Sequence, residues 1–112
     1  MADCLFCKIV AGEIPCDRVD QNDSFLAFRD IDPKAPTHIL VIPKTHVRSL
    51  AEADDPRMLG EMMAFTREVA AAEDLVADGY RVVINTNEAG GQMVFHIHVH
   101  ILGGRPMKWP PG

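Results

Sequence analysis

Between Phe95 and Leu102 the chain reads Phe-His-Ile-His-Val-His-Ile-Leu, imidazoles alternating with branched aliphatics at period two. A strand through this run sends His96, His98 and His100 to one face and buries Ile97, Val99 and Ile101 beneath the other. The chain has five histidines in all. Most of its near-neutral titratable chemistry is therefore concentrated on one strand face, which becomes the candidate reactive surface.

At 112 residues, 47% of them apolar, the chain is long enough for one compact core and short for two. Residues 1–112 read as a single domain. No basic segment leads into an apolar run and no stretch approaches bilayer length, so a cytoplasmic location is expected and no membrane partner. Cys4, Cys7 and Cys16 are odd in number, and two lie close together, which suits a reducing compartment better than a disulfide framework. A net charge of −5 argues against a nucleic-acid polymer as partner, because that binding needs many Lys and Arg contacts to phosphate. A small anion held by a few directed donors remains compatible.

Local signals outline the elements. Cys4 to Val10 forms a short helix ending at Gly12. Strands follow over Arg18 to Gln21 and Phe25 to Phe28, paired as a hairpin across Asn22-Asp23-Ser24. Two prolines make Asp30 to Pro36 a loop, and His38-Ile39-Leu40-Val41-Ile42 is a strand stopped by Pro43. Asp54-Asp55-Pro56 starts the one long helix, with Leu59, Met62, Phe65, Thr66, Val69 and Ala70 on its apolar stripe, and Asp78-Gly79 ends it. Tyr80 to Thr86 is a strand, a loop containing Gly90-Gly91 follows, and the histidine strand comes next. The tail 103–112 is irregular. These elements define an α+β domain: an antiparallel sheet of about five strands, with the long helix and the short N-terminal helix on one face.

Three readings fit the histidine spacing. A neutral imidazole is a competent nucleophile toward phosphorus, with its neighbours fixing the tautomer or donating to phosphate; the three are alternatively metal ligands, or an ordinary polar strand face. Gly90-Gly91-Gln92 brings backbone N–H groups beside the histidines, as a phosphate loop would and as a simple turn also would. Asn85 offers its amide to the same anion or to its own backbone. Cys4-x-x-Cys7 supplies half of a tetrahedral zinc site, or two small core residues of a short helix.

Taken with Pro36-Thr37-His38-Ile39-Leu40-Val41-Ile42-Pro43-Lys44, Asp30-Ile31 and Gly90-Gly91-Gln92, the His-φ-His-φ-His-φ-φ run closely resembles the histidine triad family of nucleotide hydrolases and transferases. The resemblance covers essentially the whole length. The ending Gly103-Gly104-Arg105-Pro106-Met107-Lys108-Trp109-Pro110-Pro111-Gly112 is similar to the Hint branch of purine nucleoside phosphoramidases; the Fhit-like and uridylyltransferase branches lack such a tail.

That resemblance implies a set of roles. His98 is the nucleophile that forms a nucleotidyl-histidine, His100 hydrogen-bonds phosphate and assists departure of the amine, and His38 holds His98 in its reactive tautomer. Asn85, Gly91, Gln92 and Met93 bind phosphate, and Asp30 accepts the ribose hydroxyls. Phe6, Ile9, Phe28 and Ile31 line the base pocket. The substrates implied are AMP or GMP conjugates of amines, cleaved without a catalytic cofactor. Dinucleoside polyphosphate hydrolysis, or a nucleotide-binding interaction module with weak activity, is the alternative. Cys4 and Cys7 with His46 and His96 imply a structural zinc. A homodimer is implied as well, built through the long helix and an adjoining strand, with Trp109 near the partner's substrate site. Two positions depart from the family pattern: Met93 stands where a serine is common, and Arg29 stands where the Hint branch more often has histidine.

Overall fold

A computed structural model describes residues 3–112. Helix α1 (Leu5–Val10) is followed by β1 (Arg18–Gln21), β2 (Phe25–Arg29) and β3 (Thr37–Pro43). A single 3₁₀ turn at Leu50–Glu52 precedes helix α2 (Pro56–Ala72), and β4 (Tyr80–Val83) and β5 (Val99–Gly103) complete the fold. All neighbouring strands are antiparallel, in the order β1-β2-β3-β5-β4. The last strand thus inserts between β3 and β4, and α2 is the crossover that makes room for it. This is the α+β sheet read from the sequence.

Alternation along the strands separates two apolar faces. Phe25, Ala27, Ile39, Val41, Val99 and Ile101 meet the α2 stripe of Met62, Phe65, Val69 and Ala70. Leu26, Phe28, Leu40 and Ile42 point the other way and are covered by Phe6 of α1. The expectation of both helices on one face is therefore corrected. The reason lies in the seven-residue strand β3, buried on both sides: each side requires its own cover, and α1 is too short to cover the whole of its side. The uncovered remainder is where a cavity opens.

Boundaries also shift: β4 stops at Val83 and does not run on to Thr86, and three other shifts bear on the site and its supports. The start of α2 is as anticipated, with the Asp55 carboxylate accepting from the Arg57 and Met58 amides and Pro56 in the first turn. Its end comes earlier than Asp78. Asp74 turns into the left-handed region at φ 59°, and the Leu75 N–H bonds back to the Ala70 carbonyl at 3.1 Å, closing the helix. Leu75 then packs on Gly103, where a Cβ would stand 2.6 Å from its side chain.

The second shift concerns the histidine strand, which is shorter than its pattern. Ladder pairing with β3 runs from Thr37↔Gly103 to Val41↔Val99 and stops. Pro43 brings no N–H to continue it, and the Ile97 N–H turns instead to the Val47 carbonyl at 2.7 Å. His96 and His98 therefore precede the strand and His100 lies within it. The third shift is at the tail, which begins at Gly104 because Gly103 still pairs with Thr37 and Tyr80. Beyond it Arg105 donates to the Lys34 carbonyl, and Arg81 to the Lys108 carbonyl. Among the described residues no helix is long and apolar enough to cross a membrane.

The two sides of α2 differ in what they contribute. Met62 is fully buried and Met63 is 40% exposed, so Met62→Ala should cost about 2–5 kcal/mol and Met63→Ala no more than about 0.5 kcal/mol. Urea denaturation of the two variants checks this, with an unchanged slope expected for both.

Candidate active site and metal-ligand cluster

A cavity of about 620 Å³ opens on the α1 side of the sheet. That size suits a nucleotide-sized ligand. Phe6, Ile9, Phe28 and Leu40 form apolar wall, Ile31 stands fully exposed at the rim, and Asp30, His38, Asn85, Gly91, Met93, His98 and His100 supply the polar end. Of the substrate-binding residues named from the sequence, two stay out of it. Gln92 is buried, with its amide nitrogen donating to the Arg48 and Val94 carbonyls and its oxygen accepting from the Asn87 N–H. Its side chain shapes the loop and is not available to a ligand. Trp109 is 81% exposed and lines no part of this chain's cavity.

Gly90 and Gly91 are required by the loop itself. A Cβ on Gly90 would strike the Thr86 carbonyl oxygen, and Gly91 sits at φ +85°, where side chains are disfavoured. Their compact turn places Gly91 and Met93 at the cavity wall. Lys34, which the sequence did not single out, also lines it and donates its backbone N–H to His38 Nδ1 at 2.9 Å. The clue available was its position four residues before His38 in a proline-bounded loop. Arg29 borders the cavity too, with its guanidinium held by Glu73 at 2.8 Å.

Hydrogen bonds fix the tautomers one after another. Because Lys34 donates to His38 Nδ1, the proton of neutral His38 is on Nε2, which lies 2.9 Å from His100 Nδ1 and 3.4 Å from an Asp30 oxygen. His100 Nδ1 accepts, so its own proton is on Nε2, an atom buried without a protein partner. His98 is set separately: its Nδ1–H donates to the His96 carbonyl at 2.8 Å, leaving the Nε2 lone pair free. The expected contact from His38 to His98 is thus replaced. His38 orients His100, and a main-chain oxygen orients His98.

Burial lowers the pKa of His98, opposed by the His96 carbonyl and by Asp30. Burial likewise lowers His38 against the pull of Asp30. His100 falls furthest, to about 4, through burial and then the neighbouring His98 and His38. At neutral pH the cavity therefore presents uncharged imidazoles, one with a bare lone pair and one with a directed N–H.

His96 faces elsewhere. Its Nε2–H donates to the Pro43 carbonyl at 2.8 Å, so the Nδ1 lone pair points at Cys4 Sγ (3.4 Å), Cys7 Sγ (3.6 Å) and His46 Nδ1 (3.2 Å). Cys7 Sγ is 3.3 Å from His46 Nδ1. A tetrahedral ion with zinc–sulfur bonds of about 2.3 Å and zinc–nitrogen bonds of about 2.0–2.1 Å spaces its ligand atoms by roughly 3.3–3.8 Å. The four separations above lie within about 0.1 Å of that range, and all four ligand atoms lie within 4.8 Å of one another. The cluster is separate from the cavity imidazoles His98 and His100.

Comparison with known proteins identifies the family. The HIT domain family model matches residues 11–107. The chain belongs to the HIT domain family. It is 48% identical over 105 residues to the purine nucleoside phosphoramidase of Escherichia coli K12, covering 92% of this chain and 88% of that one. It is 51% identical over 112 residues to a 14 kDa zinc-binding protein of Zea mays, covering 96% and 87%. The crystal structure of a HIT family hydrolase from Legionella pneumophila Philadelphia 1 superposes with a TM-score of 0.95 at 51% identity, covering 98% of this chain and all of that one.

The lowered histidines predict the sign of a pH effect. The unfolded chain protonates its histidines near the ordinary value of 6.5, while folded His100 resists until about 4. Between those values the unfolded state binds more protons, so stability is complete above about 6.5 and is lost as pH falls toward 4. Denaturation midpoints at pH 7 and pH 5 should differ in that direction, and His100→Gln should reduce the difference.

Proposed function

We propose that the protein is a nucleotide hydrolase that cleaves the P–N bond of purine nucleoside phosphoramidates by covalent catalysis at His98. The observation that carries this reading is the His98 ring, protonated on Nδ1 by its bond to a carbonyl and bare on Nε2, at the polar end of a nucleotide-sized cavity. The 48% identity to a bacterial purine nucleoside phosphoramidase supports it.

Phe6, Ile9, Phe28 and Ile31 hold the purine, and the Asp30 carboxylate accepts the ribose hydroxyls. Asn85 and the main chain of the Gly91–Met93 turn bind phosphate oxygens. His98 Nε2 attacks phosphorus, a P–N bond to His98 forms and the P–N bond to the amine breaks. The amine leaves with a proton supplied by solvent, and the His100 Nε2–H assists by donating to a phosphate oxygen. Water then displaces His98 from phosphorus, returns the proton to solvent and releases the nucleoside monophosphate. No metal takes part in this sequence of steps. Met93 contributes an exposed thioether and no hydroxyl, so phosphate binding at that position falls to its backbone.

The Cys4, Cys7, His46 and His96 cluster is proposed to hold a structural zinc, which would supply a cross-link between α1, the segment after β3 and the start of the histidine run. A homodimer is part of the same reading. β4 is an edge strand with one unpaired side, open to pairing with its copy across a two-fold axis.

Acid-stable quenching is unsuitable for a phosphoimidazole, so the intermediate should be trapped at alkaline pH with labelled AMP-amine. The label is expected on His98, and His98→Ala should lose it together with at least about 10³-fold in turnover. Equal labelling of that variant would defeat the mechanism. His100→Asn should keep the label but slow its formation by on the order of 10²-fold or more. Faster turnover of diadenosine polyphosphates than of the AMP amide would instead favour the polyphosphatase reading. Elemental analysis of protein purified without added metal should find close to one zinc per chain; less than about a tenth would remove that ion from the proposal.

A further inference from the structure

The cluster and the cavity are joined by one peptide group. The unit between His96 and Ile97 offers its carbonyl to His98 Nδ1–H at 2.8 Å and its N–H to the Val47 carbonyl at 2.7 Å. Both bonds reach back to the cluster. The carbonyl belongs to His96, whose ring points at the two sulfurs, and Val47 directly follows His46, whose ring is 5.0 Å from that of His96.

A second link runs through Phe6, which lies between Cys4 and Cys7 in sequence. Its ring packs edge-on to His96 at 5.9 Å, to His98 at 5.1 Å and to Phe28 of the cavity wall at 5.6 Å. His96 stands outside the ladder, so no strand partner holds this peptide in plane. What fixes its tilt is the anchorage of the two rings and the Val47 carbonyl.

We propose that His96 is a positioning residue that couples the two sites: an ion bound by Cys4, Cys7, His46 and His96 locks the 96–97 peptide, and thereby holds His98 in the tautomer whose lone pair faces phosphate. This rests on the reading of His98 as the phosphate-directed nucleophile. Without the ion the four ligand atoms lose their common tether, and the peptide is held only by the Val47 carbonyl and by the His96 ring's bond to the Pro43 carbonyl. The Nδ1–H bond then weakens, and the alternative tautomer places a proton on the very atom that must attack. Coupling of this kind is reciprocal, so a nucleotide in the cavity tightens the hold on the ion by the same factor.

The test compares zinc-loaded protein with protein freed of zinc by a chelator and with Cys7→Ser, each shown to be folded by circular dichroism. AMP affinity, read by calorimetry, should fall by about 5- to 50-fold without the ion, within the usual range of coupling between sites. Zinc affinity should rise by the same factor when AMP is saturating. Nitrogen-15 spectra of the histidine rings should show a single Nδ1–H tautomer for His98 in the loaded protein and a mixture in the metal-free one. A cluster that merely braces the fold would lower the melting temperature yet leave AMP affinity within twofold and the tautomer unchanged, which would overturn the coupling.

Should the metal-free forms unfold, the cadmium-113-loaded protein decides instead. Saturation with AMP should then shift the cadmium resonance, and an unmoved resonance would overturn the proposal. Failure of AMP to bind the loaded protein would remove the functional reading and the coupling together, whereas metal-indifferent AMP binding would remove the coupling alone.

Discussion

The bond from His98 Nδ1 to the His96 carbonyl is the contact on which the site depends. An imidazole at neutral pH carries one proton and one lone pair, and a strand face does nothing by itself to decide which nitrogen has which. A main-chain oxygen two residues back does decide it, and it does so inside a buried setting where the neutral ring is favoured. The chain of donors from Lys34 through His38 to His100 settles the other ring in the same way. Two imidazoles five ångströms apart by their ring centres thus acquire opposite characters, one a base and one a donor.

The sheet order explains how these groups meet. β5 lies between β3 and β4, so His38 from the middle of the chain and His100 from near its end come together across the β3–β5 ladder. Asp30 is brought in by the loop that leads from β2 into β3. The neighbouring apolar residues Leu40 and Phe28 sit on the same face, and α1 covers enough of it to bury the rings while leaving a cavity open. An acidic chain can hold a nucleotide in such a place because the donors are few, fixed and desolvated, and the burden does not fall on net charge.

Much of this was legible in the residues. Period two at Ile97, Val99 and Ile101 marked the buried face, helical spacing from Leu59 to Ala70 marked α2, and Asp55-Pro56 marked its start. The imidazoles, Asp30, Asn85 and the glycine turn were named by type and spacing together with the family resemblance. What escaped was set by tertiary contact. The end of α2 depends on Asp74 taking a left-handed turn so that Leu75 can pack on Gly103, and no local propensity states that. The side of the sheet chosen by α1 depends on Phe6 meeting Leu40 and Ile42. The partner of His98 is a backbone atom, and Gln92, a plausible phosphate ligand by its place after two glycines, is consumed by three backbone groups. Carbonyls and amides carry no signature in a list of side chains.

Pro43 brings out one last point. Three histidines in strict alternation belong on one face, and a continuous ladder would have kept them there as a single row of equivalent rings. The ring nitrogen of proline has no hydrogen to give, the pairing halts, and the chain bends just where the first imidazole would have joined its fellows. A cysteine–histidine cluster and a pair of cavity imidazoles are thereby cut from one repeating motif, their separation set by a proton that a neighbouring strand does not possess.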